Sequence, residues 1–325
     1  MNGNALAALM PVVLLIGLGW GVARAGLVRQ TAIKDFSNLV FLVLLPALLF
    51  RTMAQVHIAE LDYQPIGVYF LSAILVFALT MLVYGFNTLA AARGLANMFS
   101  NAAMIGVPLV GLAFGEQGLV TLFTLISVHA LVLLTGATLV FELAYSREQK
   151  ALARAQADGV KIVERSMLRT LLQAVRNSIF HPVPMPIVAG LIWSLTGWPL
   201  PAVLDTSLKM LGSAMGPVAL LLVGATLAYT KLGAHWRPAL RITLVKSLAH
   251  PLIFLACAWL LDLHGPAMGI MLICAALPVG TNALLFTQRY HVAQDEVVAS
   301  IAMSTLVGLI TLPLLLALLA ARPGL

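Results

Sequence analysis

Long apolar runs, bounded by charges, glycine and proline, recur from one end of the chain to the other. They predict helices near 5–23, 36–54, 65–91, 96–114, 117–141, 180–196, 208–229, 239–261, 266–288 and 294–319. A run of about 20 such residues crosses a hydrocarbon core of about 30 Å as a helix. The two-residue alternation of an outer-membrane barrel is missing. Glycine and proline interrupt the fourth and ninth runs, at NAAMIGVPLVG (101–111) and ALPVGTNALLF (276–286). No basic stretch precedes the first run and no soluble domain follows it, so it reads as a membrane helix rather than a cleaved signal.

Composition fixes the solvent. The chain of 325 residues is 61% hydrophobic and 10% charged, with mean hydropathy +1.00. Water-soluble domains carry about 25% charged residues. An all-α polytopic membrane protein with ten transmembrane helices is the expectation. Cys257 and Cys274 both sit in apolar runs, without a second pair or metal-type spacing, and read as small core residues.

Charge sets the orientation. Counted over alternate loops, Lys and Arg divide sixteen to three, the minority being Arg51, Lys209 and Arg322. Such asymmetry marks the cytoplasmic side, so both termini are expected outside, in the inner (plasma) membrane. The basic surplus therefore belongs to loop topology, and no nucleic-acid partner is expected. The segment 145–178, containing SREQKALARAQADGVKIVER, reads as a basic cytoplasmic linker, with contact to lipid headgroups as an alternative use of its charges.

That linker separates residues 1–144 from 179–325, five predicted helices each. An odd number per half makes the second half enter from the opposite side, an inverted repeat. Proline punctuation agrees: Pro11-Val12 with Pro182-Val183, Pro46 in LPALLF with Pro217 in GPVALLL, and Pro108 with Pro278, at offsets of 170–171.

Broken helices at matched places of two inverted halves point to chemistry. Proline removes a backbone donor, and a freed backbone group in hydrocarbon costs several kcal/mol unless protein or a wet cavity satisfies it. Exposed helix N-termini there carry positive dipole ends suited to a carboxylate. Asn101, Thr281 and Asn282 add neutral hydrogen-bonding groups. The alternative is two helices merely kinked by proline.

At these residues the chain resembles the auxin efflux carrier family: NAAMIGVPLV, LPALLF and ALPVGTNALLFTQRY are similar to its signature stretches, and the resemblance runs on to TLPLLLALL at 311–319. That family includes plant auxin exporters and bacterial carriers of malonate and related acids. The resemblance implies a fold like the bile-acid/sodium symporters, with helices 4 and 9 crossing at the substrate. It further implies an elevator motion of helices 3–5 and 8–10 against a scaffold of helices 1, 2, 6 and 7, and a homodimer through that scaffold. Asn101, Gly106 and Pro108 match the first crossover motif; Pro278 and Gly280 match the second, closed by Tyr290. The chain departs where plant exporters carry a second proline, reading Thr281-Asn282-Ala283.

Ionisable groups at membrane depth are few. His129, midway along the fifth run, is either a proton-coupling group or a hydrogen-bonded packing histidine. Lys246 and His250 are either a substrate-attracting pair or a snorkelling lysine beside a packing histidine. His181 and Glu142 lie near cytoplasmic ends, Glu142 paired with local basic residues. Arg51 and Lys209 read as outer-interface anchors, with anion steering as the alternative. Gly17, Gly19 and Gly21 in GLGWG follow no strand and read as helix packing rather than a phosphate loop.

The expected function is secondary transport of a small organic anion, a malonate-like carboxylate, without cofactor or metal. Alternatives are an auxin-like aromatic carboxylate exporter and a sodium-coupled symporter, and more remotely a channel or an intramembrane enzyme. For the enzyme, the HExxH motif and a carboxylate dyad at membrane depth are both missing from the sequence.

Overall fold

The computed structural model describes residues 5–56, 62–155, 172, 176, 183–230 and 233–321. Among the described residues the fold is all-helical, without a strand. In chain order the helices are α1 (Ala5–Arg24), α2 (Ala32–Met53), α3 (Gln64–Tyr84), α4 (Thr88–Met98), α5 (Val107–Ala155), α6 (Pro184–Leu195), α7 (Ala202–Tyr229), α8 (Trp236–Leu260), α9 (Pro266–Ala276), α10 (Asn282–Tyr290) and α11 (Gln294–Ala321). By length and apolarity α2, α3, α5, α7, α8 and α11 can each cross a membrane, and α6 and α9 are shorter apolar helices. Large apolar side chains cover the outside, among them Leu82, Val203 and Trp259, each more than three-quarters exposed. A surface of that kind belongs in lipid, and the chain is a multi-pass membrane protein.

Proline shapes three of these helices in one way. Each of the π-helical turns Val40–Leu44, Ala102–Gly106 and Val245–Ala249 ends two residues before a proline: Pro46, Pro108 and Pro251. A proline ring clashes with the carbonyl four residues back. Widening the preceding turn moves that carbonyl aside and lets the helix continue. Lys246 lies within the third of these turns, and His250 directly after it. α5 has a different break: Gly115 has φ +66°, a left-handed value, and separates a short first piece from a long second one. It falls between the expected runs 96–114 and 117–141.

Two expectations need correction. The run 65–91 ends early, because Gly85 turns at φ +81° and the Asn87 side chain caps α4 by accepting from Ala90 N (2.7 Å). Arg93, assigned to a loop by its charge, therefore lies inside α4. Its Nε and Nη2 donate to the two carboxylate oxygens of Glu296 on α11 (2.6 and 3.1 Å), and its guanidinium lies 4.8 Å from the Tyr84 ring centre. Second, the matched prolines are not matched breaks. Pro278 lies in the interruption between α9 and α10, whereas Pro108 lies in the first turn of α5, beyond the first interruption.

Because the Arg93–Glu296 pair is largely buried and bidentate, removing one partner strands the other charge. We expect Glu296→Gln to destabilise the detergent-purified protein by about 3 kcal/mol in thermal unfolding. The double change Arg93→Met with Glu296→Met is expected to cost less than the single ones added together.

Close helix packing is borne out at one glycine of GLGWG. A Cβ on Gly19 would overlap the Leu221 carbonyl of α7, and one on Gly224 the Ile16 carbonyl of α1, so these two helices touch backbone to backbone. Gly17 and Gly21 face open space. Of the linker 145–178, residues up to 155 continue α5 as helix; the expectations for His181 and Pro182 fall outside the described residues. Glu148 on that extension accepts from Thr88 N (2.8 Å) and Thr88 Oγ1 (2.9 Å), so α5 carries a carboxylate onto the N-terminus of α4.

Candidate functional site

The two interruptions, 99–101 and 277–281, meet and cross. Ser100 and Val279 form an isolated antiparallel bridge: Gly280 N donates to Phe99 O (2.8 Å), and Asn101 N to Pro278 O (2.9 Å). Backbone groups that neither helix can satisfy at membrane depth thus satisfy each other. The crossing is tight. A Cβ on Gly280 would lie 2.5 Å from Phe99 Cδ1 and 2.9 Å from Ser100 O. One on Gly106 would lie 2.8 Å from Leu277 Cδ1.

Four helix ends converge here, the C-termini of α4 and α9 and the N-termini of α10 and of the turn leading into α5. Asn101 caps that turn, its Oδ1 accepting from Met104 N (3.3 Å). α10 starts at Asn282 without a side-chain cap from Thr281. By position, Ala103 and Asn282 offer unpaired first-turn amides.

A cavity of about 450 Å³ opens on these N-termini. Five of the expected site residues line it: Asn101, Gly280, Thr281, Asn282 and His129. The rest serve differently. Pro278 supplies a crossing carbonyl, Gly106 the close approach to Leu277, and Pro108 lines another cavity. Lys246 and His250 do not line the cavity with Asn101; they lie fully buried on α8. Asn38 was not anticipated. It lines the cavity from α2, and no side-chain hydrogen bond to it is found among the described residues. No lysine or arginine is among the described lining residues.

Behind the crossing runs a buried polar chain that the residue types reveal only when the fold joins them. Ser100 Oγ donates to Cys274 O (2.6 Å), leaving it to accept from the Tyr69 hydroxyl (2.9 Å). Tyr69 then accepts from His129 Nε2 (3.1 Å), which assigns the histidine proton to that nitrogen. The Phe99 ring packs 4.4 Å from the His129 ring centre. His129 is therefore both a hydrogen-bonded packing residue and part of the cavity wall.

A parallel chain starts at Lys246. Its Nζ donates to Ala275 O (2.6 Å), in the last turn of α9, and contacts His250 Nδ1 (3.3 Å). His250 Nε2 faces Ser72 Oγ (3.5 Å), which donates to Tyr69 O (2.7 Å). A snorkelling lysine is excluded, since Lys246 has no exposed surface. The second crossing strand is held by Ser304 Oγ, accepting from Val279 N (3.0 Å).

The signal for Tyr69, Ser72 and Ser304 was available: polar side chains on apolar helices at membrane depth are costly unless paired. Glu142 finds its basic partner in space, accepting from Tyr290 Oη (2.8 Å) with Arg289 Nη2 at 3.5 Å. Both cysteines are buried.

Comparison with known proteins places the chain among membrane transporters. A family profile described as membrane transport protein matches residues 4–316. A Rhizobium meliloti protein whose name provisionally assigns it to malonate transport is 26% identical over 318 residues, covering 95% of this chain and 94% of its own. Auxin efflux carrier component 8 of Arabidopsis thaliana is 22% identical over 245 residues, 66% of this chain and 67% of its own. The Escherichia coli transporter YfdV is 24% identical over 321 residues, 94% of this chain and 95% of its own. Family and relatives alike are transporters rather than enzymes, and this chain belongs to the membrane transport protein family, that of the auxin efflux carriers.

Proposed function

We propose that the protein is a secondary transporter of a small organic anion, a malonate-like carboxylate, bound where the two broken helices cross. The observation that carries this reading is the cavity at the N-termini of α10 and of the turn leading into α5, lined by Asn101, Thr281 and Asn282 and, among the described residues, by no lysine or arginine. Helix N-termini bind carboxylates through unpaired amides and the positive dipole end. Neutral donors make the binding reversible, as a carrier needs. The name of the Rhizobium meliloti relative adds support for malonate.

The wider arrangement belongs to the same proposal. Joining each broken pair, α4 with the first piece of α5 and α9 with α10, gives ten crossings in two inverted halves, 1–144 and 179–325, on either side of the linker 145–178. Both termini then lie outside the plasma (inner) membrane. Helices 3–5 and 8–10 move as an elevator against a scaffold of helices 1, 2, 6 and 7, through which two copies pair within the lipid. The α2 residues Asn38 and Phe41, which line the same cavity as Asn101, support an opening between two such bodies.

Two further readings have less support. An auxin-like aromatic acid fits a 450 Å³ space by volume, but Thr281-Asn282-Ala283 stands where plant exporters carry proline. Sodium coupling needs a place for the ion. The C-terminal end of α9, where a cation is drawn, is already occupied by Lys246 Nζ on Ala275 O.

The test is uptake of labelled malonate, a longer dicarboxylate and indole acetate into proteoliposomes, with and without proton and sodium gradients. Malonate uptake is expected to saturate without sodium, and to fall at least about tenfold in Asn282→Ala and in Asn101→Ala, each removing a charge-assisted contact to the anion. Undiminished uptake of every acid by both variants, properly inserted, would sink the assignment.

A further inference from the structure

A second cavity, of about 420 Å³, shares no lining residue with the first. α2 reaches into both, through Asn38 at one end and Arg51 at the other. At about 1.5 Å per residue the two lie roughly 20 Å apart, so the cavities sit toward opposite ends of that helix. The walls of the second are aliphatic, with Leu15, Leu112 and Leu220 among them. Its charged side chains are Arg51, Lys209 and Glu116.

The charges are unevenly satisfied. Arg51 commits Nε and Nη2 to the Asp205 carboxylate (2.8 and 3.4 Å). Among the described residues its Nη1 meets only Glu116 Oε1, at 3.6 Å, beyond hydrogen-bond length, and the Glu116 side chain is 79% exposed. A contact so exposed is screened and weak. Lys209 lies one helical turn beyond Asp205 on α7 and makes no ion pair among the described residues. One guanidinium edge and one lysine amine thus border an apolar chamber without a firm partner.

We propose that this cavity is an anion site for a soluble monocarboxylate with an apolar body. Its carboxylate replaces Glu116 at Arg51 Nη1 and reaches Lys209; its body lies against the leucines. Aliphatic walls with a few polar groups at one place are the usual make-up of such a site, and the volume is within the usual range. A compact dicarboxylate has no apolar body to bury against these leucines. The site is separate from the crossing and needs neither the substrate nor the direction of transport proposed above.

The test is equilibrium binding of radiolabelled 4-phenylbutyrate to the detergent-purified full chain. We expect saturable binding that malonate and the neutral amide of the same acid leave in place. Lys209→Gln is expected to weaken it about tenfold, by loss of a charge-assisted hydrogen bond. Glu116→Gln, which removes the competing carboxylate, is expected to tighten it about twofold to threefold. Both positions are exposed, so neither change threatens folding. Asn282→Ala leaves one saturable site, which separates this cavity from the crossing. The proposal fails if no saturable binding is found, if Lys209→Gln binds as well as wild type, or if Asn282→Ala abolishes binding. It also fails if palmitate fills the site and 4-phenylbutyrate does not, since the ligand then comes from the membrane.

Discussion

Replacing Gly280 by alanine is expected to abolish transport, although the change adds one methyl group. The Cβ would fall 2.5 Å from Phe99 Cδ1 and 2.9 Å from Ser100 O. The ring is no easy outlet, because it packs on His129 at 4.4 Å between centroids. The backbone carbonyl can retreat only by separating the crossing strands. Separation loosens Gly280 N–Phe99 O and Asn101 N–Pro278 O, and in a low-dielectric interior each freed group costs several kcal/mol. The N-termini of α10 and of the turn at Ala102 then no longer converge on one cavity. Gly17→Ala is the matched control, since nothing lies within 4 Å of a Cβ there. Proteoliposome uptake normalised to inserted protein, with thermal unfolding alongside, makes the comparison. Near-normal uptake by Gly280→Ala would show that the crossing tolerates opening and carries no function.

How much of this was legible beforehand differs between fold and site. Apolar runs located most of the described helices, because in lipid the signal that ends a helix is a charge, a glycine or a proline, and all three are visible in one dimension. The errors lie where a helix stops without losing hydrophobicity. At Gly85 and Asn87 the turn is made by backbone conformation and a side-chain cap, and the alanine-rich segment after it conceals a new helix. Arg93 misled for the reverse reason: a charge signals a loop until a distant partner, here Glu296, takes it up.

Proline gave the region of the crossing and missed its register. Pro108 and Pro278 attract attention equally, yet the first acts on the π-helical turn at Ala102–Gly106 and only the second lies in a break. The first break is made at Phe99–Asn101, residues with no strong intrinsic preference to stop a helix. It is stabilised by bonds to a strand some 180 positions away. Asn101, Thr281 and Asn282 were recognisable because polar residues beside a broken helix have few other uses. Ser72 and Ser304 were passed over because a serine hydroxyl on an apolar helix usually satisfies itself on the preceding turn, and Tyr69 because its partners Ser100 and His129 lie on other elements. Ser72 and Ser304 do make such bonds, to Tyr69 O and Ile301 O, and serve the crossing in addition.

Lys246→Met is the second change expected to stop transport, and it acts without touching the substrate cavity. Methionine keeps the length and apolar body of the lysine and deletes the donor. Ala275 O in the last turn of α9 then loses its 2.6 Å partner, and His250 Nδ1 loses its contact at 3.3 Å. Both groups are fully enclosed, so water cannot replace the lysine without a new cavity. An unpaired buried acceptor costs about 1–3 kcal/mol. The penalty falls on the end of α9 that leads directly into Pro278 and Gly280, so it appears as a distorted crossing rather than as general unfolding. The expected signature is a fall in maximal uptake rate of at least about tenfold, the equivalent of 1.4 kcal/mol, with the half-saturating concentration of malonate little changed. A lysine that met the anion directly would show the opposite, a large rise in half-saturation, and that result would move Lys246 from the support of the crossing into the binding site itself.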